Sequence, residues 1–353
     1  MNNMAINLTG KFSDKVAERF SMKSLTDAFS GKDYDFSGVK SIKIYSVDSV
    51  PVGDYTRSGT ARFGNLVELG DTVQEMMMTQ DKGFTFSVDA GNNAEQLNIK
   101  QVAQRLKRNW DERATPLIDM YRFSRWMNGA GLVSAESAAL TKSNIVEKIM
   151  NGTAAMSNAL VPLTGRTLFI RESVYINVKL ASEVVGIDRL GGKSVESGVV
   201  GELDGMKIVR VPDSYFPAGV NFLIKYKNAT VDPMKLKTLR VQKNPMGIDG
   251  DVGECRFLHD SFVLGAKVNG LYMSVEAAKA AANPAIAVAA GKATITCATS
   301  GAAIRYTTDG TDPKTSATAA DYSAAVDAAS GTAVRVYAAK AGLMNSGVTE
   351  VIA

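Results

Sequence analysis

Histidine is nearly missing from this 353-residue chain, where His259 is the single copy, and cysteine occurs only as Cys255 and Cys297. Two thiols exclude a disulfide framework and a Cys-rich zinc site, and one imidazole excludes any site built on several histidines. A Ser-His-Asp triad would have to use His259 itself. Its neighbours Asp260 and Ser261 share a candidate strand, on which successive side chains point to opposite faces, so adjacency does not assemble the three. His259 reads as structural. Carboxylates are scattered, and no pair has a context suited to acid/base work on a glycosidic bond. No apolar run reaches the roughly 18 residues that a membrane-spanning helix needs. The opening MNNMAINLTGKFSDKVAERF lacks a basic-then-apolar secretion signal, so folding in the cytosol is expected. A net charge of +4 is too mild to mark a nucleic-acid binder. These absences leave no catalytic constellation, no cofactor and no metal to assign.

What is present is a chain able to bury a core, with 45% apolar and 22% charged residues. Its length suggests two or three domains. Composition shifts near residue 276. Of the 15 methionines, 14 precede that point, whereas 25 of the 77 residues from 277 to 353 are alanine. The run EAAKAAANPA (276–285) joins the two regimes. It is helix-prone until Pro284, and residues 277–283 read as a linker.

Before the linker, periodicity divides the chain. Residues 1–33 form an arm in which Phe12, Val16 and Phe20 make a rough helical stripe, suited to its own domain or to a neighbouring subunit. Residues 34–93 contain alternating runs at 41–47 and 83–90. The glycine-spaced polar excursion between them carries Arg57, Arg62, Glu68 and Asp71. It predicts a two-stranded protrusion or a mobile loop, and an isolated hairpin is marginal without a partner surface. Residues 94–128 predict a helix, with Ile99, Val102, Leu106, Trp110, Leu117 and Tyr121 on one face. Pro116 should kink or divide it, and Gly129 and Gly131 should end it. Lys100, Arg105, Lys107, Arg108, Arg113, Arg122 and Arg125 make it the most basic element, a solvated face or one turned toward DNA or an acidic partner. An α/β region follows (129–245), with a helix over 143–160 and short strands at 167–171, 206–211, 222–226 and 237–241. A closing strand segment (246–276) includes one long strand candidate over 255–275. Strands and helices do not alternate strictly, so the class is α+β.

Two glycine-rich stretches fail as phosphate loops. GIDRLGGKS (186–194) has Gly192 where the lysine belongs, and NGAGLVSAE (128–136) follows a helix instead of a strand. DGTDP (309–313) is too short of alternating oxygen ligands for calcium and is ordinary turn chemistry.

Two resemblances rest on these parts. SGAAIRYTTDGTDPKTSA (300–317), with Ile295–Ala298, Tyr322 and VRVYAAKAGLMNSGV (334–348), resembles the small C-terminal domain of chitobiases and β-hexosaminidases. Its motif falls on Ile304, Tyr306, Asp309, Gly310, Asp312 and Pro313. The resemblance implies an immunoglobulin-like β-sandwich over 284–353 and no hydrolysis, which lies elsewhere in those enzymes. The order of parts before residue 276 resembles tailed-phage major capsid proteins of the Hong Kong 97-type fold, shared with encapsulins.

That second resemblance implies peripheral-domain strands and an extended loop in 34–93, a spine helix at 94–128, an axial domain at 129–245 and closing peripheral strands at 246–276. It implies a homo-oligomer of hexameric and pentameric capsomers, assembled in the host bacterial cytoplasm into a virion capsid. The extended loop would lie over the adjacent subunit. Inter-subunit contacts then fall to Phe12, Val16, Phe20, Arg57, Arg62, Glu68 and Asp71, and DNA-facing charge to Lys100, Arg105, Lys107 and Arg108. A separate scaffolding protein, a portal and other virion proteins, and non-specifically packaged double-stranded DNA are the implied partners. The sandwich would project outward, with weak glycan or host-surface contact as one use. The rival readings are a glycan-binding or cell-surface protein that works through the tail, and an encapsulin-like compartment.

Overall fold

The computed structural model describes residues 22–31, 34, 36, 41–47, 52, 54–60, 62–64, 66, 68–95, 101–181 and 199–353. The chain divides into two compact units. One comprises 1–23, 80–117 and 234–258, and the other 24–79, 118–233 and 259–353.

In the smaller unit, a three-stranded sheet orders Met234–Lys243, Gly250–His259 and Gln80–Asp89 side by side. The turn between the first two uses Asn244 and Gly247, both with positive φ, and Asn244 Oδ1 accepts the Gly250 N–H at 3.1 Å. Within the described residues, helix covers Ala90–Glu95 and Val102–Asn109 of this region. A π turn, Trp110–Ala114, separates this from Thr115–Asn128. The Thr115 N–H bonds to Trp110 O, five residues back, just before Pro116, which has no N–H to give. The proline's disturbance is thus absorbed as one wide turn. Val102, Leu106 and Trp110 are buried as the periodicity predicts, and Trp110 packs edge-on to Phe257 with centroids 5.0 Å apart.

The larger unit is built on a six-stranded mixed sheet. Its order is Leu132–Glu136, Leu271–Glu276, Val220–Tyr226, Arg166–Arg171, Met206–Val211 and Val199–Leu203. Both faces are covered, so the strands read as near-continuous apolar runs and their alternate residues feed two cores. Phe169, Val209, Val211, Leu223, Leu271, Met273 and Val275 join Phe123, Trp126 and Met127 of the helix Thr115–Asn128 in one core. Leu168, Ile170, Ile208, Phe222, Ile224 and Tyr272 join Ile145, Ile149 and Met156 of the helix Ile145–Asn158, with Val174, Tyr175 and Val178 of Glu172–Leu180, in the other. The architecture is α+β.

The tail forms a two-sheet sandwich. One sheet holds Ala285–Ala289, Lys292–Thr296 and Val326–Asp327, and the other Ala320–Asp321, Ala303–Thr307, Ala333–Ala339 and Thr349–Ile352. Between them lie Ala293, Ile295, Ala328, Val334 and Val336.

Three expectations need correction. The strand expected over 255–275 is broken: Gly250–His259 ends before Asp260, and a 3-10 stretch, Gly265–Gly270, precedes Leu271–Glu276. Buried hydrogen bonds at Asp260 and Ser261 hold the chain out of the ladder there. Residues 277–283 are not a free tether. Ala280 and Ala281 are buried, Ala281 N–H bonds to Met344 O at 2.9 Å, and Ala280 and Met344 sit in the first core. The basic helix does not present all its cations to solvent. Arg122 is buried and pairs with Asp27, whereas Arg125 stays exposed although its Nε donates to Ser261 O at 3.2 Å.

Candidate functional site

Two strands, Ser41–Val47 and Asp71–Met77, pair antiparallel to make a hairpin stem, in register Tyr45 to Val73 and Lys43 to Glu75. The predicted excursion therefore returns through 71–77, while 83–90 serves the three-stranded sheet. Strand alternation puts Lys43, Tyr45, Val47, Asp71, Val73, Glu75 and Met77 on one exposed face. The opposite face, with Ile42, Ile44 and Met76, is more covered. Beyond the stem, Val52, Phe63 and Leu66 are 102%, 93% and 105% exposed.

Thr56 N–H donates to Arg62 O at 3.0 Å, Arg62 Nε donates to Gly59 O at 3.1 Å, and the Tyr55 and Phe63 rings meet edge-on at 5.0 Å. Gly59 and Gly64 take positive φ, which glycine adopts without the usual Cβ clash. Arg57, Arg62 and Glu68 are exposed, as is Asp71 at the stem end. Val52, Phe63 and Leu66 are thus large apolar side chains left uncovered within the chain. Sequence reasoning found the hairpin's charges but missed Tyr55, Phe63 and Leu66. Their signal was three large apolar residues in a glycine-spaced polar stretch that has no core to bury them.

Near the stem, buried carboxylates fix the chain. Asp232 accepts from Ser30 Oγ, Ser261 Oγ, Thr230 Oγ1 and Trp126 Nε1, at 2.5, 2.5, 3.2 and 2.9 Å. Asp119 accepts from Ser24 Oγ, Leu25 N–H and Thr26 Oγ1, which ties residues 24–26 to the helix. Burial pushes the Asp119 carboxyl above its ordinary range against the pull of those donors. Asp260 accepts from Thr79 N–H and Oγ1 and from Tyr121 OH. Burial, then the bond to Asp260, pushes the Tyr121 hydroxyl up to about 12, so it stays a donor. His259 is buried with its ring edge-on to Tyr121, centroids 5.2 Å apart, which suits the structural role. Lys225 is fully buried. Its Nζ donates to Phe29 O at 2.6 Å and Lys227 O at 3.1 Å and lies over the Trp126 ring, and burial lowers it to about 8. These networks bind residues 24–31 and the end of the stem to the sheet.

Of the basic-face residues, Lys107 is exposed, while Arg105 and Arg108 are half-buried and Arg108 pairs with Glu112 at 2.5 Å. Phe12, Val16, Phe20 and Lys100, and the loop 186–194, lie outside the described residues. In the tail motif, Ile304 packs against the sandwich core, and Tyr306 meets Tyr322 edge-on at 6.3 Å. Gly310 has positive φ, and Asp312 and Pro313 are buried. Burial raises the Asp309 carboxyl, but bonds from Thr311 and Thr318 outweigh that and leave it below its ordinary range. The motif residues shape turns. No group of three or more metal-ligating side chains occurs among the described residues, and no described helix is long and apolar enough to cross a membrane.

Comparison with known proteins agrees with this geometry. A structure from Mycobacterium phage Che8 is similar over 76% of this chain and 96% of its own, with a TM-score of 0.60 at 17% identity. The capsid of cyanophage P-SCSP1u matches over 76% and 92%, at 0.60 and 14%. The head of Helicobacter pylori bacteriophage KHP40 matches over 78% and 99%, at 0.58 and 9%. Residues 285–350 match the family model of the chitobiase/β-hexosaminidase C-terminal domain. No curated protein matches the chain in sequence. The chain therefore has the phage capsid fold over most of its length. A chitobiase C-terminal-like, immunoglobulin-like sandwich completes it.

Proposed function

We propose that the chain is a major capsid protein of a tailed bacteriophage, a structural protein that self-assembles into an icosahedral shell around double-stranded DNA. The observation that carries this reading is the pre-shaped hairpin with uncovered apolar residues on a phage capsid fold. A shell closes by repeating modest interfaces under symmetry, and fragments that lack cover of their own find it on neighbours. The hairpin and arm would interlock subunits in hexameric and pentameric capsomers. A scaffolding protein and a portal complete the assembly in the host cytoplasm, and Lys107 with its basic neighbours faces DNA without sequence readout. The sandwich lies on the outer surface, where weak glycan or host-surface contact is open to it. Negative-stain imaging and sizing of the purified protein, alone and with its neighbouring gene products, tests the proposal. Shells, tubes or capsomers are expected, and a monomer under every condition would overturn it.

A further inference from the structure

The tail sandwich touches the rest of its unit through residues 344–348 and through a short segment that the capsid reading does not use, the DPKT of Asp312–Thr315. Lys314 Nζ donates to Asn128 O, the last carbonyl of the helix Thr115–Asn128, at 3.3 Å, and to Ala130 O, two residues past the helix, at 2.6 Å. Asn128 O has no partner within its own helix and lies at the negative end of the helix dipole, so a cation there is favoured. Asn345 Nδ2 adds a bond to Asn128 O, and Val348 N–H donates to Gly131 O at 2.7 Å. One residue on, Thr315 faces Gly265. A Cβ on Gly265 would stand 2.9 Å from Thr315 Oγ1, which cannot swing away freely because it donates to Asp312 Oδ2 at 2.8 Å. On the other side of Gly265 is the hairpin. Gly265 N–H donates to Gln74 Oε1 and Gln74 Nε2 donates to Val263 O, each at 2.9 Å.

We infer that the sandwich is an internal brace, with Lys314 and Thr315 as positioning residues. Lys314 caps the helix end. Thr315 backs the turn at Gly265 that pins the hairpin stem through Gln74. The presentation of the hairpin therefore depends on the tail, and the sandwich is not a detachable decoration. The inference rests on contacts within one chain and stands whether or not the protein forms shells.

Hydrogen exchange on the full-length protein tests it. Gly265→Ala should wedge the contact and speed exchange roughly tenfold at 71–77 as well as at 311–316, because local opening reports on local support. Adding Thr315→Ala removes the opposing hydroxyl and should restore slow exchange at 71–77. Lys314→Met should speed exchange at 129–133, whereas Lys292→Met, on an exposed ion pair with Asp327, should not. If Gly265→Ala disturbs 71–77 equally with and without Thr315→Ala, the brace is wrong. Should a variant fail to fold, limited proteolysis of the unaltered protein decides. Resistance at 277–283 supports the brace, and early cleavage there releasing an intact sandwich overturns it.

Discussion

Individual residues show how this fold tolerates buried charge. Lys225 has no carboxylate bonded to it. Two carbonyls and the face of Trp126 hold it instead, and burial lowers it to about 8 from an ordinary value of 10.5. Between those values the unfolded chain binds the proton and the folded chain does not, so folding stability rises with pH across that window. Below pH 8 both states are protonated and the slope vanishes. The expected result is that unaltered protein gains on Lys225→Met by up to about 1.4 kcal/mol per pH unit between 8 and 10.5. Urea denaturation of both at several pH values checks it, and parallel curves would refute it. Asp232 is the converse case, a carboxylate satisfied by four donors. Asp232→Ala leaves those donors buried and unpaired and should cost about 3 kcal/mol or more in the same measurement.

At the scale of elements, the close fit of helix on sheet and the openness of the hairpin make opposite demands. Gly152 lies on the helix Ile145–Asn158 with no room for a Cβ, which would meet Tyr272 Cε1 at 2.7 Å and Ile224 Cδ1 at 2.9 Å. Gly152→Ala should lower stability by about 1–3 kcal/mol through overpacking, although alanine is the better helix former. The shift in denaturation midpoint reads this directly. The hairpin behaves otherwise. Phe63 and Leu66 touch little in the isolated chain, so a Phe63→Asp, Leu66→Asp double variant should change subunit stability by no more than about 0.5 kcal/mol per site. It should abolish particles seen by electron microscopy. A variant that still assembles would remove the hairpin from the interface.

For the whole molecule, a charge of +4 spread over 353 residues gives weak long-range electrostatics. If apolar hairpin residues drive association, particles should persist as ionic strength rises from about 0.05 to 0.5 M, because salt screens charge and leaves apolar burial intact. Light scattering across that range would show it. Dissociation on adding salt would instead assign the contact to Arg57, Arg62, Glu68 and Asp71.

The sequence by itself determined what repeats along the chain. Apolar spacing located Val102, Leu106 and Trp110 on the buried side of their helix, and short β-prone apolar runs located the strands at 167–171, 206–211 and 222–226. The string at 300–317 located the sandwich through its resemblance to the chitobiase/β-hexosaminidase C-terminal domain, which matches residues 285–350. Scarcity of histidine and cysteine excluded most site chemistry. Only the tertiary structure decided what depends on partners distant in the chain. Strand 41–47 could have paired with 83–90 as well as with 71–77, since alternation carries no address. Arg122 looks like a solvated charge until its burial and the Asp27 carboxylate beside it are found. Residues 277–283 look like a tether because alanine is equally at home in a linker and in a tight contact. Lys314 reads as one more surface cation, and becomes a helix cap only because folding brings the end of the helix Thr115–Asn128, 186 residues away, within 3.3 Å.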